Sequence, residues 1–213
     1  EPFIRRAALD ITGTLPDPRE AEAFVNDPDP GKRARLIDRL LASPGYAEFW
    51  ALKWADLLRV EEKTLDARGV ETFHNWIRES LAVGKPLDVF AREVLSSTGS
   101  TYGNPPTNFY RALRVPVDRA EAAAQVFLGS RLKCARCHDH PFEDVRQDDY
   151  YRFAALFDGI DYEIIENKRK DGYDKHQFRG EQKVKLVALD KLDPKKILKH
   201  PRTKKPPRPG LLD

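Results

Sequence analysis

The chain has 213 residues, 40% of them hydrophobic and 33% charged, with 37 Lys and Arg against 34 Asp and Glu for a net charge of +3. That length buries a real core without staples and fits one domain with an appendage or two small ones, and no apolar run approaches a membrane span. Most of the positive excess sits near the end, at Lys183, Lys185, Lys195, Lys196, Lys199, Arg202, Lys204, Lys205 and Arg208; without interleaved aromatics or a recognised binding fold this reads as a solvated or partner-facing segment, not a nucleic-acid arm.

The chain opens Glu1-Pro2-Phe3 with neither an initiating methionine nor an apolar signal region, so it is read as a mature segment or an excised domain. From Phe3 to about Asp10, Phe3, Ala7 and Asp10 share one helical face and Ile4, Ala8 and Ile11 another, and Thr12-Gly13-Thr14 stops the helix. Asp17-Pro18-Arg19-Glu20 supplies an N-cap, a first-turn proline and a glutamate at the third position for a helix ending near Asn26. Asp29-Pro30 repeats the device for a helix with Leu36, Ile37, Leu40 and Leu41 at helical spacing, and Ser43-Pro44 begins another. That next helix, with Tyr46, Phe49, Trp50, Trp54, Leu57 and Leu58, reads as a core element.

After a polar connection at Glu61 to Arg68, the segment Val70 to Val83 sets Val70, Phe73, His74, Ile77 and Leu81 on one stripe. Gly84-Lys85-Pro86 breaks it, and Leu87, Phe90, Ala91, Val94 and Leu95 form a further amphipathic helix. Ser96 to Pro106 is rich in Ser, Thr, Gly, Asn and Pro and reads as a long surface or functional loop. A helix over about Val117 to Leu128 turns Ala120, Ala124, Phe127 and Leu128 inward, and Gln147-Asp148-Asp149 starts a last helix carrying Tyr150, Tyr151, Phe153, Leu156 and Phe157. Beyond Asp161, alternating runs at Tyr162 to Ile165 and Lys183 to Val187 predict a small β-hairpin with a long tip. The proline-rich tail from Pro201 to Pro209 reads as extended. The fold class is therefore mainly α, a helical domain over 1–160 followed over 161–213 by a β-hairpin and an extended basic tail.

Between the last two helices lies Cys134-Ala135-Arg136-Cys137-His138-Asp139-His140-Pro141, which holds both cysteines of the chain. This is the C-x-x-C-H pattern of covalent haem attachment: two thiols at this spacing add to the two vinyl groups of one haem, and the following imidazole becomes the proximal iron ligand. Two other readings stand beside it. A C-x-x-C disulfide leaves His138 and His140 unexplained and wants a βαβ context. Zinc held by Cys134, Cys137 and one or both of His138 and His140 lacks the usual second ligand pair.

With haem at Cys134, Cys137 and His138, the sixth ligand separates electron transfer from chemistry at the iron. The chain has no Met, so histidine-methionine ligation within it is excluded. His74, on an inward stripe, is the first candidate for a distal ligand, with a hydrogen-bonded core histidine as the competing reading. His140 is too near His138 to reach the opposite face and reads as a propionate contact or a loop anchor; His176, in the hairpin tip, and His200, in the tail, read as surface residues. Asp139 reads as an acceptor for a nearby backbone group. Arg136, with Arg131, Lys133 and Arg146, is a candidate partner for haem propionates, and Tyr151, with Tyr150, Phe153 and Phe157, a candidate wall for the haem edge.

Several blocks resemble a family of planctomycete cytochrome-like domains found centrally in large exported proteins. They are Phe3-Ile4-Arg5-Arg6 with Gly13-Thr14-Leu15-Pro16, Leu40-Leu41-Ala42-Ser43-Pro44, Trp54-Ala55-Asp56-Leu57-Leu58, Cys134 to Phe142, Gln147 to Tyr151, Phe153 to Phe157 and His200-Pro201-Arg202-Thr203. The resemblance implies one covalent haem c in a periplasmic or otherwise exported setting, with a redox partner protein or neighbouring domains of a longer parent chain as partners. It implies no named reaction and leaves enzyme status open. Three functions follow: an electron-transfer cytochrome; a haem enzyme or gas or peroxide sensor with an open distal site, the Ser96 to Pro106 loop as its lid; or a structural module clipped by zinc or a disulfide. No Ser-His-Asp order, phosphate loop or glycosidase carboxylate pair is evident.

Overall fold

The computed structural model describes residues 2–166 and 180–212, so the hairpin tip with His176 lies outside the described residues. It is mainly helical, with a three-stranded antiparallel sheet. The chain forms two compact units, one of residues 1–56 with 74–86 and one of residues 57–73 with 87–213. Among the described residues no helix is long and apolar enough to cross a membrane.

In the first unit, α1 (Pro2–Thr12), α2 (Pro18–Asn26) and α3 (Lys32–Leu41) pack around Ile4, Phe24 and Leu36, with Phe3, Ala7, Ala21 and Leu40 against them. The Asp17 carboxylate caps α2 by accepting from the Arg19 N–H at 2.8 Å, as the sequence reading requires. Asp29 instead accepts from Gly31 N–H at 2.6 Å and pairs with Arg35, so α3 begins two residues later than expected. Lys32 closes the preceding helix: its ammonium donates to the carbonyls of Phe24 and Asp27 at 3.0 and 2.8 Å, a cation at a helix C-terminus.

The core reading of α4 (Pro44–Leu57) needs correction. Its buried residues are Ala47, Ala51 and Ala55, an i, i+4, i+8 stripe, while Trp50 is 37% exposed and Leu57 is also exposed. The buried face of α4 is thus made by small side chains and not by its exposed Trp50 and Leu57. Phe49 does pack, against Gly13, where φ is +70° and an added Cβ would come within 2.2 Å of the ring. The polar connection is also helical: α5 runs Glu62–Ala82 with a break at Asp66, whose φ of 57° and ψ of 170° are non-helical.

In the second unit that break is held by its own side chain. Asp66 Oδ1 accepts from Gly69 N–H at 2.8 Å, and Oδ2 accepts from Tyr102 Oη–H at 2.9 Å, Arg111 Nη2–H at 3.0 Å and Gly180 N–H at 2.6 Å. Four segments therefore converge on one carboxylate beside a fully buried guanidinium. A strained left-handed residue persists where surrounding bonds over-determine it. Burial would raise the Asp66 carboxyl, but the Gly69 amide and Arg111 together hold it below the usual carboxylate range.

The expected surface loop, Ser96 to Pro106, is instead part of the framework. After α6 (Leu87–Ser96), Gly99–Ser100 form β1, and Pro105–Thr107 make a 3₁₀ turn into α7 (Asn108–Ala112). Thr101, Thr107 and Asn108 are fully buried. Asn108 Nδ2 donates to the Thr101 carbonyl at 2.6 Å, and Thr101 exchanges bonds with Gln182 through its amide at 2.8 Å and its hydroxyl at 3.1 Å. These polar side chains are inside because each satisfies a buried backbone group.

The helix expected over Val117 to Leu128 divides into α8 (Pro116–Ala123) and a π turn at Ala124–Leu128, ended by Gly129 at φ 72°. The wider turn moves side chains off the α-helical stripe, so Leu128 is exposed while Ala120, Ala123 and Ala124 are buried. Strands β2 (Ile160–Ile164) and β3 (Gln182–Leu186) pair antiparallel with Tyr162 opposite Val184, and β1 lies on the other side of β3. Arg119, 1% exposed, joins the helices to this sheet. Its guanidinium donates to the carbonyls of Leu113, Phe157 and Arg114 and to Tyr162 Oη at 2.6–2.7 Å, and the Tyr162 hydroxyl donates onward to the Tyr110 carbonyl at 2.6 Å.

The tail is not free. After α9 (Gln147–Ala154), residues 200–210 return to it: Gly210 N–H donates to the Arg152 carbonyl at 3.1 Å and Arg202 pairs with Asp148 at 2.7 Å.

Removing the Asp66 carboxylate takes away the shared acceptor of the Gly69 and Gly180 amides, the Tyr102 hydroxyl and the buried Arg111 guanidinium, so Asp66→Ala is expected to cost about 3–5 kcal/mol in chemical denaturation; a loss under about 1 kcal/mol would show the site to be peripheral. Burial, reinforced for Tyr102 by Asp66, pushes Tyr102 and Tyr110 up to about 12. Their folded values lie above the unfolded one, so this stabilisation is complete below about pH 10 and is lost as pH rises towards about 12. Unfolding followed across that interval should show a fall in midpoint that Tyr102→Phe diminishes.

Candidate functional site

The Cys134–Pro141 segment leaves α8 through Gly129 and enters a 3₁₀ turn at Leu132–Arg136. Leu132 and Ala135 point into the core and are almost fully buried, and that alternation turns Lys133 and Cys134 outward. Cys134 and Cys137 are both exposed, free thiols, joined through the backbone by Cys137 N–H donating to the Cys134 carbonyl at 3.3 Å.

His138 is exposed, with Nδ1 2.7 Å from its neighbour Asp139's carbonyl oxygen. A carbonyl only accepts, so Nδ1 carries the hydrogen and the neutral ring keeps its lone pair on Nε2. His140 has the opposite tautomer: its Nδ1 accepts from Glu143 N–H at 2.9 Å and Phe142 N–H at 3.3 Å, while its own amide donates to the Val145 carbonyl at 2.8 Å. It is a loop anchor, one of the two roles read for it. Phe142 projects from this loop 93% exposed.

Helix α9 holds the segment from behind. Asp139 Oδ1 accepts from Gln147 N–H at 2.8 Å and so caps the helix. Gln147 Nε2–H and Tyr151 Oη–H both donate to the Arg136 carbonyl oxygen, at 3.1 and 3.2 Å. The Arg136 guanidinium, half exposed, lies 3.7 Å from Glu121 and 3.8 Å from Asp118. Tyr150 donates to Glu121 at 2.7 Å, and burial together with that carboxylate pushes its hydroxyl well above the ordinary tyrosine range.

Tyr151 is 7% exposed and packs edge-on against His200, ring centroids 4.9 Å apart. His200 is thus not the surface residue expected of a tail: it is 5% exposed, its Nδ1 accepts from Arg202 N–H at 3.2 Å, and its Nε2 lies 3.0 Å from Asp148 Oδ1. The inward stripe of His74 is partly realised. The residue is half-buried, its Nε2 is buried with no hydrogen-bond partner among the described residues, and it belongs to the first unit while the cysteine segment belongs to the second.

Cys134, Arg136, Cys137, His138 and Tyr151 therefore share one site. Gln147 and His200 were missed by sequence reasoning; the i, i+4 spacing of Gln147 and Tyr151 was the available signal for the first, and nothing local marks the second. Among the described residues no group of three or more His, Cys, Asp or Glu is arranged to hold a metal ion. The chemistry of the donor set would suit a covalently bound haem: two accessible thiols three residues apart, and directly after them an imidazole.

No curated protein and no solved structure matches the chain. Over residues 1–162, a stretch that includes Cys134, Cys137 and His138, the chain matches the family described as PSCyt2, protein of unknown function (DUF1549), and it belongs to that family.

Proposed function

We propose that this chain is a c-type cytochrome-like domain of the planctomycete kind, in which Cys134 and Cys137 would hold one haem through thioethers and His138 Nε2 would ligate its iron. It relays electrons in an exported compartment, between a redox partner protein or neighbouring domains. The observation that carries the reading is the state of the three donors: both thiols are exposed and unpaired, and the His138 ring is held in the tautomer that leaves Nε2 open. Once bound, haem would supply reversible one-electron chemistry at the iron.

The chain's own residues bind and orient. The His138 Nδ1–H bond to the Asp139 carbonyl fixes the imidazole and raises its basicity as a ligand, the usual task of a second partner on a ligating histidine. Arg136, Arg131, Lys133 and Arg146 supply cations along the segment for propionates. Phe142, exposed beside the segment, supplies an apolar ring that a haem face could cover. Because thioether attachment occurs outside the bacterial cytoplasm, the reading carries export with it.

Protein exported in a host with haem-attachment machinery should be coloured and should keep that colour through acid-acetone extraction, with a pyridine haemochrome of the thioether type. Cys134→Ala with Cys137→Ala together should abolish retention. Colourless wild-type protein from such a host would overturn the reading and return the site to zinc or a disulfide. In reduced protein the relay role requires sharp low-spin bands unmoved by carbon monoxide; ready carbon monoxide binding would replace it with an open-site enzyme or sensor.

A further inference from the structure

The backbone on either side of Cys137-His138 is fastened to the same helical turn. Arg136, immediately before the pair, has its carbonyl oxygen occupied by Gln147 Nε2–H and Tyr151 Oη–H. Asp139, immediately after it, has Oδ1 occupied by Gln147 N–H. A carbonyl has two acceptor sites, so both side chains bond this one oxygen at full capacity, from positions one turn apart on α9. Both donors are more than nine-tenths buried, which shields the bonds from competing water, and His200 with Tyr150 packs the Tyr151 ring from other sides at centroid distances of 4.9 and 5.0 Å.

Among the described residues nothing comparable holds the cysteine side chains themselves, which are exposed. What is fixed is the backbone that carries them, through the Cys137 N–H bond to the Cys134 carbonyl and the clamp on Arg136 between them.

We propose that Gln147 and Tyr151 are positioning residues that hold Cys134, Cys137 and His138 as one preorganised thiol, thiol and imidazole set before any cofactor is attached. The purpose of that set rests on the haem reading; its existence does not. Preorganisation spares the loop the cost of ordering when both thiols must engage one molecule.

The test uses reduced, haem-free full-length chain and phenylarsine oxide, whose arsenic binds two thiols together, forming two As–S bonds and releasing the oxide oxygen with both thiol protons as water. Wild type is compared with Tyr151→Phe, Gln147→Leu, the double variant and Tyr150→Phe. The last breaks the neighbouring buried bond to Glu121 on the same helix and controls for a general loss of stability.

The double variant is expected to bind phenylarsine oxide about tenfold more weakly, one to two hydrogen bonds' worth of lost preorganisation. Alkylation of single thiols should stay within about twofold of wild type because exposure is unchanged, and Tyr150→Phe should bind like wild type. Tight dithiol capture retained in the double variant, or an equal loss in Tyr150→Phe, would overturn the proposal. Should the double variant be unfolded by far-ultraviolet circular dichroism, Tyr151→Phe alone decides, since it keeps the ring packed and removes one donor. A wild-type protein that captures the arsenical tightly yet never acquires covalent haem would sink the haem reading and leave the clamp standing.

Discussion

Arg119 is the constraint on which the second unit depends. Its guanidinium reaches three backbone carbonyls and a tyrosine hydroxyl while almost fully buried. Two of those carbonyls, Leu113 and Phe157, end α7 and the 3₁₀ turn after α9, where helix carbonyls lack internal partners and partial negative charge accumulates. One cation thus closes two helix ends, and Tyr162 passes the link to β2. A buried guanidinium is costly unless its donors are satisfied; here four satisfied acceptors make it a joint between helices and sheet. Asp158, itself buried, has its carboxyl pushed up by that burial, with Arg119's charge opposing the rise.

Asp66 and Arg111 do a complementary task in the same unit. A carboxylate that accepts from α5, from Tyr102 and from the strand entry at Gly180 makes three chain segments arrive together. Gly69 lies close against this pair, since a Cβ there would stand 3.0 Å from Arg111 Nη1 and 3.2 Å from the Leu65 Cβ, tight enough that these neighbours would have to shift. The polar residues around it, Thr101, Thr107, Asn108 and Gln182, form an interior whose specificity comes from hydrogen-bond geometry more than from apolar volume.

On this scaffold the cysteine segment is a short exposed stretch with a fixed backbone. Its apolar residues, Leu132 and Ala135, enter the core; its reactive groups remain outside; and α9 with the returning tail supports it from within. Such a division suits attachment of a large planar cofactor, since reactivity requires access while a common spacing requires rigidity. Membership in a family of unknown function leaves the chemistry of this segment as the guide to what the domain does.

Much of this was legible in the residues themselves. Periodicity and capping chemistry placed α1 to α3, α6 and α9, because those signals are local: a carboxylate accepts from an amide two residues away whatever the remainder of the chain does. Strand alternation located β2 and β3 but not β1, since Gly99 and Ser100 become a strand only by pairing with β3. The polar run at 96–106 looked like surface because composition reports water affinity, whereas Asn108 and Thr101 spend that affinity on buried backbone. Aromatic weight in α4 suggested a core face that the alanine stripe occupies instead, and the tail, expected to be extended with His200 at the surface, buries His200 against Tyr151. By itself, then, the sequence determined the helical class, the Asp17 cap of α2 and the C-x-x-C-H motif, all consequences of neighbours within a few residues. Tertiary structure alone decided which arginines are buried, what the polar residues bond, and that one turn of α9 grips the backbone between the two thiols, because each of these joins groups that the chain keeps tens of residues apart or brings together only by folding.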